Sequence, residues 1–153
     1  MEEQRTETII VFGSKRGNTA AMATAVAEEL KKKQISSVVK NVFETRPADL
    51  LNYKFIILGC STWSDGDLAE DFIEFEREMD GLDLRGHYCA AFGAGSSRFR
   101  FFCEAVNILE AKLRSLGGRM LLPSLRVNEM AGQMEEESRE WAGILGEEIN
   151  QIA

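Results

Sequence analysis

At 153 residues, 44% of them hydrophobic and 28% charged, the chain has the size and mixture of one domain with a sizeable buried core. A net charge of −7, from 25 acidic against 18 basic residues, argues against a nucleic-acid partner and for docking on basic patches of other proteins. No apolar run approaches the roughly 18 residues of a membrane span, and the polar start MEEQRTET predicts neither a signal nor a transit peptide, so a cytoplasmic location is expected.

The alternation of strand and helix patterns runs through the whole chain. Residues 7–13 (ETIIVFG) form an apolar run ending at glycine, and residues 19–33 carry apolar positions at helical spacing, with Lys31, Lys32 and Lys33 in the last turn. Residues 36–43 read as a strand, 44–53 leave room for only a short helix, and 54–60 (KFIILGC) form a second apolar strand. Residues 67–79 predict a helix with Leu68, Phe72, Phe75 and Met79 on one stripe; Glu70, Asp71, Glu74, Glu76 and Glu78 form a mostly solvated face. Residues 86–93 predict a fourth strand, 101–116 a helix stopped by Gly117-Gly118, and 119–127 a fifth strand. Pro123 puts that strand at an edge, where its missing N–H costs little. Residues 134–152 complete the pattern as an amphipathic helix opened by Glu135, Glu136 and Glu137. Continuously apolar strands between helices imply a doubly wound parallel sheet covered on both faces.

In such a sheet ligands bind beyond the C-terminal strand ends, at the topological switch point. The loop after the first strand, Gly13-Ser14-Lys15-Arg16-Gly17-Asn18-Thr19, suits an anion at a helix start, with Ser14, Asn18 and Thr19 as side-chain donors. It lacks GK[ST] and GxGxxG, which disfavours ATP and NAD; a plain cap by Asn18 or Thr19 is the simpler alternative. After the third strand, Cys60-Ser61-Thr62-Trp63-Ser64 offers an aromatic ring on which a planar ligand could stack, or which could lie as a lid on the core. After the fourth, Gly93-Ala94-Gly95-Ser96 runs into Arg98, Phe99, Arg100, Phe101, Phe102 and Cys103. Phe99 or Phe101 could face Trp63 across a flat ligand; the alternative, a helix start facing the core, suits Phe102 best. Together the three loops describe a site for a phosphorylated planar cofactor. With His87 the sole histidine and Cys60, Cys89 and Cys103 widely spaced without a CxxC, no metal set or Ser-His-Asp triad is expected, and the cysteines read as reduced thiols. A receiver domain and a tyrosine phosphatase also fail: neither the acidic cluster nor the Cys-x5-Arg loop is present at the required positions.

These residues resemble the flavodoxin family, through S-x-x-G-N-T at Ser14–Thr19, LGCSTW at Leu58–Trp63, EDF at Glu70–Phe72 and FGAGSS…F-FC at Phe92–Cys103. With no insertion in the fifth strand, the chain is most similar to the short-chain branch found in sulfate-reducing bacteria. The resemblance implies a five-stranded sheet of order 2-1-3-4-5, bound FMN, and low-potential one-electron transfer between redox enzymes rather than catalysis. Monomers would dock reductases and acceptor oxidoreductases near the flavin edge. By position, Ser14, Lys15, Arg16, Gly17, Asn18 and Thr19 would hold the phosphate, and Ser61 and Thr62 would border the ribityl chain. Trp63 and Phe99 would cover the two ring faces, and Gly95, Ser96 and Cys103 would line the pyrimidine end; Ser64, Phe101 and Phe102 complete the set.

Several positions depart from the family's pattern. Lys15 and Arg16 replace hydroxyl residues, Phe99 a tyrosine and Ser96 an acid; Arg98 and Arg100 stand where acids are usual. The arginines are expected to favour the fully reduced flavin anion and so raise the potential of the second electron. Ser64, where glycine often permits a peptide flip, is expected to hinder that flip. The alternatives are an FMN-dependent NAD(P)H:quinone reductase and a flavodoxin-like module that has lost its flavin.

Overall fold

The computed structural model describes residues 7–13, 17–61, 70–96, 103–129 and 132–153. In chain order they form β1 (Thr8–Gly13), α1 (Asn18–Lys32), β2 (Ser37–Asn41), two 3-10 turns (Val42–Glu44 and Pro47–Asn52), β3 (Phe55–Cys60), α2 (Glu70–Glu78) and β4 (Tyr88–Gly95). There follow α3 (Glu104–Ser115), β5 (Arg119–Met120), β6 (Leu125–Asn128) and α4 (Met134–Ile152). All strand pairs are parallel, in the order β2-β1-β3-β4, with β5 and β6 both paired to β4.

Alternate strand side chains feed two cores. Ile9, Val11, Ile56, Leu58, Cys89 and Ala91 meet Phe72, Phe75 and Met79 of α2 and Val106, Leu109 and Leu113 of α3. Ile10, Phe55, Ile57, Ala90, Phe92 and Ala94 meet Met22, Val26 and Leu30 of α1 and Trp141, Leu145 and Ile149 of α4. Burial on both faces explains why these strands are apolar without alternation.

The expected strand over 119–127 is two strands. β5 pairs with Tyr88 and Cys89, β6 with Phe92 to Gly95. Between them the Pro123 carbonyl accepts a hydrogen bond from Trp141 Nε1 at 2.9 Å, which fastens the interruption to α4. Pairing with β6 also carries β4 to Gly95 rather than ending it at residue 93. The short helical segment expected over 44–53 is the second 3-10 turn; the first ends β2 at Asn41, whose side chain accepts from Phe43 N at 3.0 Å. On α2, Glu74 and Glu78 are exposed as expected, but Glu76 is only 18% exposed and pairs with Lys112 of α3 at 3.0 Å. Asp80 also holds Lys112, whose pKa is raised, first by this hydrogen bond.

Candidate functional site

Parallel strands put every C-terminal end at the same edge, so the starts of α1 and α3 and the exits of β3, β4 and β6 converge there. The N-cap of α1 is Gly17, not Asn18 or Thr19, and no side chain caps it. Its φ of 83° lies in the left-handed region, which glycine enters without strain. The first intrahelical bond runs from Ala21 N to Gly17 O at 2.9 Å, so the N–H groups of residues 18–20 face out of the helix end. That end suits an anion through both its N–H groups and the helix dipole.

Thr19 is fully buried, and its Oγ1 lies 2.5 Å from Ser61 Oγ, just beyond β3. β1 and β3 are in register as far as Gly13 and Cys60, so the hydroxyl pair sits where the two central strands release their chains. Ser61 is half-buried, and the Cys60 thiol donates to its carbonyl at 3.3 Å.

The end of β4 is built on close backbone approach. A Cβ on Gly93 would lie 2.1 Å from Cys60 O and 2.7 Å from Val106 Cγ2, and one on Gly95 would lie 2.9 Å from Cys103 N. Ser96 beside them is buried. Cys103 caps α3 with φ 53°, a left-handed conformation uncommon for a side-chain-bearing residue. Its buried thiol lies 3.6 Å from the Val127 carbonyl. Burial pushes that thiol up to about 12, with Glu129 adding to the rise and Arg126 and the Val127 hydrogen bond opposing it.

Of the expected site residues, Thr19 and Ser61 touch, Gly95 and Cys103 pack together, and Gly17, Asn18 and Ser96 lie at the same sheet edge. Ser14, Lys15, Arg16, Thr62, Trp63, Ser64, Phe99, Phe101 and Phe102 lie outside the described residues, as do Arg98 and Arg100. One residue at this edge has no counterpart among the expectations. Glu129, directly after β6, accepts from Asn18 Nδ2 at 3.2 Å. The clue was positional: the exit of the fifth predicted strand opens at the same edge as the three loops considered.

Elsewhere, His87 Nδ1 donates to the Tyr53 carbonyl at 2.7 Å, at the far end of β4. Cys89 is buried in a strand as expected, its thiol also pushed up to about 12 by burial. Among the described residues no group of three or more His, Cys, Asp or Glu is arranged to hold a metal, and no helix is long and apolar enough to cross a membrane.

A doubly wound parallel sheet with an anion-receptive helix start and paired hydroxyls at its switch point is the framework of a nucleotide-binding α/β protein. The flavodoxin family model matches residues 10–141. A probable flavodoxin of Bacillus subtilis is 36% identical over 131 residues, covering 84% of this chain and 87% of that one. The flavodoxin of Maridesulfovibrio salexigens is 38% identical over 125 residues, covering 80% and 86%. The crystal structure of oxidised flavodoxin 2 from Bacillus cereus superposes with a TM-score of 0.85 at 29% identity, covering 92% of this chain and 98% of that one. The chain belongs to the flavodoxin family, and it is an electron-transfer protein rather than an enzyme.

Proposed function

We propose that the chain works as a single domain that holds one FMN across the ends of β1, β3 and β4 and passes single electrons between redox proteins. The observation that carries this reading is the part-buried Thr19–Ser61 hydroxyl pair behind the glycine-capped start of α1. Helix N–H groups and hydroxyls there form a set of hydrogen-bond donors, which fits a phosphate. FMN supplies the one-electron chemistry when bound; the protein supplies binding, orientation and electrostatics.

On this reading the start of α1, with Ser14, Asn18 and Thr19, binds the phosphate, and Lys15 and Arg16 add attractive field. Ser61 and Thr62 border the ribityl chain, and Trp63 and Phe99 sandwich the ring. The buried Gly95, Ser96 and Cys103 exclude water at its polar end, where unsolvated negative charge is costly. Arg98 and Arg100, adjoining that end in sequence, offset this cost and raise the potential at which the second electron enters. The net charge of −7 favours partners with basic docking faces.

The test is an absorbance spectrum of the protein with FMN, followed by stepwise reduction. Bound yellow flavin reduced in two resolved one-electron steps is expected; failure to take up FMN overturns the reading. Arg98→Glu with Arg100→Glu should lower the potential of the second step, and an unchanged potential would remove the role given to the arginines.

A further inference from the structure

Glu129 stands at a junction that the cofactor reading leaves unexplained. Its backbone N–H donates to the Gly95 carbonyl at 2.9 Å, extending the β4–β6 ladder one residue beyond the Gly95–Asn128 pair. Its position is therefore set by the sheet rather than by a loop. From there the side chain reaches α1, where Oε2 accepts from Asn18 Nδ2 at 3.2 Å, across 111 residues of sequence. One half-buried residue thus connects the end of β4 with the start of α1.

The chemistry of the contact fixes a direction. A carboxylate only accepts hydrogen bonds, so the Asn18 amide must turn its nitrogen, not its oxygen, toward Glu129. One amide N–H is then committed to Glu129, and the second is held in a defined direction at the helix end. An amide without such a partner would sample other rotamers, and ordering it on ligand binding would cost affinity. A carboxylate near an anion site also repels the anion, so its presence calls for a compensating role.

We propose that Glu129 is a positioning residue of the cofactor site: tied to the end of β4, it orients the Asn18 amide so that the free N–H serves the phosphorylated end of the cofactor. This rests on the FMN reading above.

The test is titration of the flavin-free protein with FMN, followed by quenching of flavin fluorescence, for wild type, Glu129→Ala, Glu129→Gln, Asn18→Ala and the Asn18→Ala/Glu129→Ala pair. Glu129→Ala should raise the FMN Kd about tenfold, the scale of one hydrogen bond to a charged group. Glu129→Gln, whose amide oxygen still accepts, should stay within about threefold of wild type. Glu129→Ala should add less than about twofold once Asn18 is already alanine, because the two act as one unit.

Multiplying effects of the two substitutions, a glutamine variant as weak as the alanine variant, or an alanine variant that binds as tightly as wild type or tighter would each overturn the role. Should Glu129→Ala fail to fold, Glu129→Asp is the substitute. One methylene shorter, it should loosen FMN by at least about threefold, and wild-type binding would overturn the proposal. Wild-type protein that takes up no FMN would sink the cofactor reading and this role with it; tight wild-type binding with indifferent variants sinks the role alone.

Discussion

β4 meets two partners along one edge, and the two stretches are built differently. At its beginning, Tyr88 and Cys89 pair with β5, and the surroundings serve packing. Gly118 lies against Cys89 and Leu113, Leu84 N bonds the Leu116 carbonyl at 2.8 Å, and Arg119 N bonds that of His87 at 3.0 Å. No candidate site residue lies there. At its end, Phe92 to Gly95 pair with β6, side chains give way to glycine, and Ser96, Cys103 and Glu129 gather around the strand exit. Glycine weakens a strand by giving up packing. Here it lets α3 and β3 come within reach of the β4 backbone, at the edge where a ligand is expected. The lower stretch carries the fold alone; the upper stretch carries the fold and the candidate site together.

Substitutions along this edge separate the two roles. The largest effect is expected for Gly93→Ala, whose Cβ would lie 2.1 Å from the Cys60 carbonyl oxygen, a backbone atom that cannot step aside. It should cost about 3 kcal/mol or more by denaturant unfolding. Gly118→Ala and Gly95→Ala form the sharpest pair, with new Cβ atoms 2.6 Å from Cys89 Sγ and 2.9 Å from Cys103 N respectively. Each should cost about 1–2 kcal/mol. Only Gly95→Ala should also weaken FMN binding, and equal weakening by Gly118→Ala would erase the distinction between the stretches.

Between them, Trp141→Phe removes the donor to the Pro123 carbonyl while keeping an aromatic ring against Phe92. A loss of about 1 kcal/mol is expected, with FMN affinity unchanged. The last effect is absent at neutral pH and appears only in alkali. The Cys89 and Cys103 thiols, one in each stretch, are held at about 12 against an ordinary 9.0. A raised folded pKa contributes stability that is whole below pH 9 and shrinks as pH climbs toward 12, because the unfolded thiols ionise first. The melting temperature should fall over that window, and Cys89→Ala and Cys103→Ala should each flatten part of the slope.

Much of this molecule is legible locally. The apolar runs at 7–13 and 54–60, the helical stripe through Phe72, Phe75 and Met79, and the stop at Gly117-Gly118 each follow from a few neighbouring residues. Hydrophobic period and turn chemistry are properties of the local chain. The same holds for the start of α1 after Gly17, which the glycine at the end of the preceding loop already marks.

What the tertiary structure decided are the pairings between distant segments. That β6 joins β4 above Pro123, and so extends β4 to Gly95, is a pairing of distant segments, and Trp141 of α4 reaches back to fasten the interruption between β5 and β6. The burial of Glu76 depends on Lys112 of the neighbouring helix. The meeting of Thr19 with Ser61, and of Asn18 with Glu129, depends on parallel strands delivering separate loops to one edge. A sequence period reports which way a side chain faces within its own element. It carries no record of which residue waits on the other side, and in this protein that is where the candidate site comes together.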